Sequence, residues 1–269
     1  MRKFTNKIEK VVIKIGSSSI THDNGCVNIE KIDMLTKEIV NLKNKGIDVI
    51  LVSSGAIAAG KNKLQIQNTI NISEKQAIAS VGQLTLMNTY LRSFAEYGYS
   101  IAQMLLTRMV ETDAIMHENA INTFETLLKM NVIPIVNEND SISTFEINFG
   151  DNDTLSAVVS KLVNADLLIL LSDIDGLYTD DPRVNNNATI IKEVNIINDK
   201  LREMGKGTYS KVGTGGMATK INAANICMES GIDVVIANSS DFKNIRKILG
   251  GEEIGTIFKG IVKRNGAIC

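Results

Sequence analysis

The chain has 269 residues, with 29 Lys and Arg against 30 Asp and Glu. This balance offers no basic excess for nucleic acid as a main partner. Cys26, Cys227 and Cys269 are odd in number and lack C-x-x-C spacing, which argues against a disulfide framework or zinc site. No apolar run approaches the roughly 20 residues that span a bilayer, and MRKFTNKIEK lacks a signal-peptide core. We therefore expect a cytoplasmic protein without membrane spans.

Apolar runs of strand length alternate with amphipathic stretches of helix length along the chain. Strands are predicted at residues 11–15, 49–52, 101–106, 132–136, 167–171, 234–237 and 256–258. Helices are predicted at residues 29–45, 75–97, 117–130, 154–164 and 217–230. Continuous Val, Ile and Leu runs are typical of parallel strands buried on both faces. The βαβα order predicts an α/β fold, a three-layer αβα sandwich around a mainly parallel sheet.

An acid- and amide-rich segment, residues 137–153, follows the predicted strand at 132–136 and reads NENDSISTFEINFGDND. Open α/β sheets bind ligands at the carboxyl ends of their strands, which is where this segment lies. A solvated acidic loop would explain the carboxylates. The Asn side chains favour a ligand site instead, because an amide can both donate to and accept from a small polar molecule.

Lys14 lies inside VVIKIGSSS, one residue before the predicted end of the first strand. Burying a lone ammonium group is costly, so this side chain requires an anionic partner or a route to the surface. The Gly16–Ser19 turn lets backbone N–H groups approach a phosphate. We therefore predict that Lys14 contacts a phosphate group.

Two further glycine-containing segments follow predicted strands or open a helix. SSGAIAAG at residues 53–60 permits close approach of a ligand to backbone donors, although small residues serve tight packing equally well. GTGGMATK at residues 213–220 has neither the dinucleotide fingerprint nor Walker A spacing. Lys220 falls in the first turn of the helix it opens, which favours a bound anion. A mobile surface loop is the alternative for this segment.

The side chains available for chemistry point to phosphoryl transfer. Asp173 follows the fifth predicted strand, where it could accept from a ribose or base. The only histidines, His22 and His117, lie in none of these segments. Two lysines, glycine loops and an acid/amide loop suit a reaction that depends on positioning and charge stabilisation. An acceptor carboxylate, with a pKa of about 4.3, needs no general base at neutral pH.

The segments VVIKIGSSS, VSSGAIAAG, MLLT, IVNEND, FGDNDTLSA, DIDGLYTDDPR and GTGGMATK together resemble the amino acid kinase family. The likeness is strongest to its members that phosphorylate the side-chain carboxylate of glutamate, and it runs in register from about residue 11 to 259. It implies an αβα sandwich, ATP with Mg²⁺, and γ-glutamyl phosphate as product, the first step towards proline. It also implies one kinase domain over residues 1–269, with glutamate bound by about 1–163 and ATP by about 164–269.

The same resemblance implies roles for individual residues. Lys14 and Lys220 would stabilise charge on the transferring phosphoryl group, and Asp153 would hold both lysines. Ser54, Asp140 and Asn152 would bind glutamate. The implied nucleotide-binding residues are Lys14, Ser172, Asp173, Thr214, Gly215, Gly216, Met217, Ala218, Thr219 and Lys220, and no metal-ligating side chain is predicted.

The resemblance further implies a homo-oligomer, feedback inhibition by proline and γ-glutamyl phosphate reductase as a pathway partner. Many of the resembling enzymes carry an additional C-terminal PUA domain, and no segment of this sequence corresponds to it. Ser172 stands where a threonine is frequent, which keeps the hydroxyl group.

Two other functions are consistent with these motifs. A sister kinase could act on acetylglutamate, aspartate, carbamate or UMP, although Asn139, Asp140 and Asn152 suit an amino acid carrying both an ammonium group and a carboxylate. A catalytically silent sensor of amino acid and nucleotide is the other, and the presence of Lys14, Asp153 and Lys220 together counts against it. An NAD-dependent dehydrogenase is disfavoured by the absent fingerprint.

Overall fold

The computed structural model describes residues 1–68, 71–143, 152–180, 182, 184–185, 187–206 and 216–261. Eight strands form one sheet: β1 (Lys10–Ile15), β2 (Asp48–Ser53), β3 (Ile101–Leu106), β4 (Ile133–Glu138), β5 (Leu167–Ser172), β6 (Glu193–Val194), β7 (Asp233–Asn238) and β8 (Thr256–Phe258). The described helices are α1 (Ile29–Lys43), α2 (Ala56–Leu64), α3 (Ile72–Ala95), α4 (Met109–Thr112), α5 (Ala114–Lys129), α6 (Asn152–Leu162), α7 (Asp199–Lys206), α8 (Met217–Glu229) and α9 (Lys243–Leu249). A short 3₁₀ helix occupies Ser17–Ser19.

The sheet has the strand order β3-β4-β2-β1-β5-β7-β8-β6 and is parallel except where β7 meets β8. Alternate residues of β1 face opposite layers: Val12 belongs to one buried apolar cluster, while Val11 and Ile13 belong to the other. Helices cover both faces, so the predicted three-layer αβα sandwich is confirmed. No helix within the described residues is long and apolar enough to cross a membrane.

All the predicted strands occur, with ends displaced by no more than two residues. Strand β6 was not predicted, because its two residues are too short to show periodicity. The helices α2, α4, α7 and α9 were also missed. Helix α2 was missed because its sequence, AIAAGKNKL, is short and contains an internal glycine, which lowers helix propensity.

Helices α2 and α3 pack with their backbones in close contact, which explains two glycines. A Cβ atom on Gly60 would lie 2.0 Å from the carbonyl oxygen of Ile78, and one on Gly82 would lie 1.7 Å from that of Ala56. Gly55, which precedes α2, has φ of +106°, a conformation that favours glycine. The small residues of SSGAIAAG therefore serve a tight turn and helix–helix packing.

We expect Gly82→Ala to destabilise the protein, although alanine is the better helix former. The new methyl group would overlap backbone atoms of α2, so the two helices must separate. Overpacking of this kind costs about 1–3 kcal/mol. Urea unfolding followed by far-UV circular dichroism measures the loss. Gly216→Ala is the matched control, since a Cβ there would meet no atom within 4 Å in the part of the chain that the structure describes. Equal stability of the two variants would contradict the prediction.

The buried carboxylate of Asp233, at the amino end of β7, anchors two distant parts of the chain. Its oxygens accept from the backbone N–H and the hydroxyl of Thr5, at 2.7 and 2.6 Å. They also accept from the backbone N–H of Gly260 at 2.7 Å and from Lys259 Nζ at 3.1 Å. The anchor therefore lies at the edge of the sheet opposite the carboxyl ends of the parallel strands.

Candidate active site

Polar side chains gather at the carboxyl ends of the central parallel strands, where the sequence predicted a ligand site. Lys14 on β1 lies beside Val52 of β2 and Leu170 of β5 in the sheet register. Helix α6 begins at the same edge, and its first residues, Asn152 and Asp153, are buried. Lys14, Asn152 and Asp153 therefore lie at the rim of the sheet that the strand-end rule selects for ligands. Of the acid/amide segment, residues 144–151 lie outside the described residues.

Asp153 joins Lys14 and Lys220, which come from elements far apart in the sequence. Its Oδ1 lies 2.6 Å from Lys14 Nζ, and its Oδ2 lies 3.0 Å from Lys220 Nζ. The Thr219 hydroxyl lies 2.9 Å from Oδ2. Asp153 is fully buried, while Lys14 and Lys220 are 8% and 5% exposed. Two ammonium groups and one carboxylate thus form a buried triad of net charge +1, which is suited to an incoming anion.

The ionisation of Asp153 depends on both lysines. Burial alone would raise the pKa of this carboxyl, but the Lys14 and Lys220 ammonium groups outweigh burial and hold the pKa well below its usual range. The depressed pKa means that Asp153 contributes stability above the ordinary aspartate pKa and loses it as the protein is acidified. At neutral pH the Asp153 carboxyl is therefore ionised.

The side-chain amide of Asn152 is held by a buried hydrogen-bond network. Its Nδ2 lies 3.0 Å from the backbone carbonyl of Ser53, 2.7 Å from Ser54 Oγ and 2.8 Å from Asn137 Oδ1. Asn137 Nδ2 in turn donates to Gln83 Oε1 at 3.0 Å. The network unites Ser54 and Asn152, both predicted from the resemblance to bind the acceptor.

Two of the residues expected to bind the acceptor each have a buried side-chain oxygen with no hydrogen-bond partner among the described residues: Asn152 Oδ1 and Asp140 Oδ1. Buried polar atoms are almost always satisfied, so such a pair indicates a place for a polar ligand. Asp140 is 6% exposed, and burial together with the nearby Glu138 raises the pKa of its carboxyl to about 7. Glu138 accepts a hydrogen bond from the Ser143 hydroxyl. A cationic donor would satisfy both orphan oxygens and favour ionised Asp140.

We expect the ligand-free Asp140→Asn variant to be more stable than the wild type above pH 7. The pKa of Asp140 in the folded protein is raised to about 7, so between the ordinary aspartate pKa and about 7 the folded protein binds more protons than the unfolded chain. The free energy of unfolding of the wild type therefore falls as pH rises through that window. A tenfold change in proton affinity corresponds to about 1.4 kcal/mol, and we expect a gain of at least that order. Urea unfolding at pH 5 and 8 measures it; a gain that is equal at both pH values would contradict the prediction.

Open backbone positions flank the lysines on the other side. A Cβ atom on Gly16 or Gly216 would meet no atom of the described residues within 4 Å. Gly216 is the N-cap of α8, and within the described residues this helix start has no side-chain cap hydrogen bond. Backbone N–H groups at a helix N-terminus favour a phosphate, so the start of α8 fits the phosphates of a nucleoside triphosphate. Ser172 donates to Asp173 Oδ1 at 3.0 Å at the end of β5. Thr214 and Gly215 lie outside the described residues.

No group of three or more His, Cys, Asp or Glu side chains in the described part of the chain could hold a metal ion. Asp153, the carboxylate at the start of α6, already forms ion pairs with two lysines. Mg²⁺ commonly reaches kinase sites through substrate phosphates with few protein ligands. The donor set therefore fits Mg²⁺ carried by the nucleotide.

Sequence reasoning missed two residues of the site. Asn137 was recognised only as part of the acid/amide segment, and Gln83 was not singled out. The available signal for Gln83 was a polar residue among the small and apolar positions Ala79, Gly82 and Leu86 of α3. Such a residue on a core-facing helix surface indicates a buried hydrogen-bond partner.

Comparison with known proteins shows the family of this chain. Residues 9–238 match the model of the amino acid kinase family. The chain belongs to the amino acid kinase family. It is 52% identical over 257 residues to the glutamate 5-kinase of Clostridium acetobutylicum, a match that covers 95% of this chain and 96% of that protein. It is 50% identical over 260 residues to the glutamate 5-kinase of Carboxydothermus hydrogenoformans, covering 96% of this chain and 70% of that protein.

Solved structures share the fold at low sequence identity. Carbamate kinase from Giardia lamblia, solved with AMP-PNP bound, has a TM-score of 0.67 at 16% identity and covers 94% of this chain and 99% of that one. UMP kinase from Bacillus anthracis has a TM-score of 0.63 at 15% identity, and the match covers 96% of this chain and 98% of that one. These neighbours support the sandwich architecture.

Proposed function

We propose that the protein transfers the γ-phosphoryl group of ATP to the side-chain carboxylate of L-glutamate, giving L-glutamyl 5-phosphate in the first step of proline biosynthesis. The observation that carries the proposal is the buried triad of Lys14, Asp153 and Lys220, and the orphan oxygens of Asp140 and Asn152 support it. The relatives named above, similar over nearly the whole chain, are glutamate 5-kinases.

The acceptor side of the site suits an amino acid. Asp140 Oδ1 and Asn152 Oδ1 lack partners among the described residues and can accept from the substrate ammonium group. The Ser54 hydroxyl, held by Asn152, can donate to a carboxylate. We assign Ser54, Asp140 and Asn152 to glutamate binding.

Catalysis at this site consists of positioning and charge stabilisation. The acceptor carboxylate is ionised at neutral pH and attacks the γ-phosphorus directly, while the bond from that phosphorus to the bridging oxygen of ADP breaks. Lys14 and Lys220 stabilise the negative charge on the transferring group, and Asp153 orients both ammonium groups. No proton has to move, which agrees with the lack of a histidine in the described site.

The nucleotide side is assigned to Ser172, Asp173, Gly216, Met217, Ala218, Thr219 and the two lysines, with Thr214 and Gly215 as predictions from sequence. The open glycine positions and the uncapped start of α8 support phosphate binding there. Mg²⁺ bound to the phosphates neutralises part of their charge. We further propose that residues 1–163 provide the glutamate half of the site and residues 164–269 the ATP half.

A hydroxylamine trapping assay tests the function. With ATP, Mg²⁺ and hydroxylamine present, an acyl phosphate is converted to a hydroxamate, so product class and rate are read together. L-glutamate, L-aspartate, N-acetylglutamate and UMP are offered in parallel. We expect hydroxamate with glutamate alone. ADP release without hydroxamate would identify a different acceptor, and no turnover with any of them would leave a sensor of amino acid and nucleotide.

We also propose the regulation and assembly that the family resemblance implies: feedback inhibition by proline, γ-glutamyl phosphate reductase as the pathway partner, and a homo-oligomer in the cytoplasm. Exposed Leu84 and Leu91 on α3, which packs beside the edge strand β3, support an assembly surface. Added proline in the hydroxamate assay tests the first proposal, and light scattering on the purified protein tests the last.

A further inference from the structure

Gln83 is a buried polar side chain in the middle of α3, outside every segment that the sequence assigned to ligand binding. It is 9% exposed, and Ala79, Gly82 and Leu86 around it on the helix are buried. Its Oε1 accepts from Asn137 Nδ2 at 3.0 Å, across 54 positions in the sequence. Burying an amide among apolar neighbours is costly unless the amide is hydrogen-bonded, and the bond to Asn137 offsets that cost.

Gln83 is linked to Asn152 through Asn137, and the hydrogen bonds along this path have a defined direction. The backbone carbonyl of Ser53 can only accept, so Asn152 must present its nitrogen, Nδ2, to Ser53. The same Nδ2 faces Asn137, which must therefore present its oxygen. Asn137 is then left with its nitrogen towards α3, where the facing atom of Gln83 must be an acceptor. Each amide thus holds the next in one orientation.

This direction determines what the network offers to a substrate. With all its nitrogen contacts inside the network, Asn152 has only its oxygen left to face a ligand, and that oxygen has no partner among the described residues. Without an acceptor at position 83, the buried Asn137 nitrogen would lose its partner, and rotation of the Asn137 amide would become easier. The orientation of the Asn152 amide would then be held by Ser53 and Ser54 alone.

We propose that Gln83 is a positioning residue for the acceptor substrate: through Asn137 it holds the Asn152 amide so that Oδ1 accepts from the ammonium group of glutamate. This inference rests on the proposed function. Gln83 touches neither reactant itself, so its effect is expected on glutamate binding and not on the phosphoryl-transfer step.

The test compares Gln83→Met with the wild type in steady-state hydroxamate assays. Methionine keeps the shape of the side chain and removes the accepting oxygen. We expect KM for L-glutamate to rise roughly tenfold to a hundredfold, while kcat and KM for ATP stay close to wild type. Gln76→Met, the same exchange seven residues earlier on α3 and outside the network, is the control and should leave KM for glutamate unchanged.

Gln83→Glu provides the second variant, because its carboxyl oxygen can still accept from Asn137. We expect KM for glutamate close to the wild-type value. If Gln83→Met does not fold, the Gln83→Glu variant provides the test. A KM for glutamate in Gln83→Glu that rises as much as was expected for Gln83→Met would overturn the positioning role. An unchanged KM in a folded Gln83→Met protein would overturn it as well. Lack of hydroxamate from the wild type would reject the proposed function, whereas wild-type product with an unaffected Gln83→Met variant rejects only this inference.

Discussion

Replacing Lys220 with methionine is expected to lower kcat by about 10²–10³ while KM for glutamate changes little. Methionine retains most of the volume of the buried side chain, and the ammonium group that lies 3.0 Å from Asp153 is lost. Loss of one group that stabilises transition-state charge commonly costs about that factor. Steady-state hydroxamate assays with varied ATP and glutamate separate the two parameters.

The control for this variant is Lys192→Met, which removes a lysine from an exposed ion pair with Glu253. Its activity should match the wild type, because exposed pairs contribute little even to stability. A Lys220→Met enzyme with wild-type kcat and only a raised KM would show that Lys220 assists binding and does not act in the transition state.

Asp153→Asn is the second large effect that we expect. The exchange keeps the size of the side chain and leaves Lys14 and Lys220 buried around a neutral amide. Turnover should fall by at least about 10², because neither ammonium group is then held in place by charge. Removing one partner of a buried ionic group also destabilises a protein by about 3–5 kcal/mol, so unfolding in urea should occur at lower concentrations.

ATP provides the measurement that separates these two consequences. Its phosphates can supply the negative charge that the variant lacks at position 153, so ATP should raise the melting temperature of the variant by more than it raises that of the wild type. An Asp153→Asn protein with near wild-type turnover would contradict the proposed role of this carboxylate. Equal stabilisation of both proteins by ATP would place the lysines away from the phosphates.

Much of the fold was predictable, because long buried strands in α/β proteins appear as continuous apolar runs. The strand-end rule then predicted that residues 137–153, which include Asp153, lie at the carboxyl ends of the strands. Helix α2 was missed because Gly60 lowers its helix propensity. The reason for a glycine at this position is the close contact with α3, which can be seen only when both helices are present. Strand β6 was missed because it depends on β8 across more than sixty positions of sequence.

The candidate site was predicted in its charges but not in its hydrogen bonds. The pairing of Asp153 with Lys14 and Lys220 was expected from the family resemblance, and both ion pairs are present in the structure. The path from Gln83 to Asn152 does not follow from the sequence, because it depends on which amide of α3 faces which amide of β4. The pKa of Asp140, raised to about 7, likewise depends on a burial that no local sequence pattern predicts.

The carboxylate of Asp233 makes the fold a candidate for circular permutation. Thr5 and Gly260 both donate to it, so two points 255 positions apart meet at one aspartate. A short linker between them would join the ends without crossing the sheet. New ends could then be opened in an exposed turn such as that at Gly46, and the reactants would still enter from the opposite rim. A partner protein fused after Ile261 would likewise be attached far from the lysine pair.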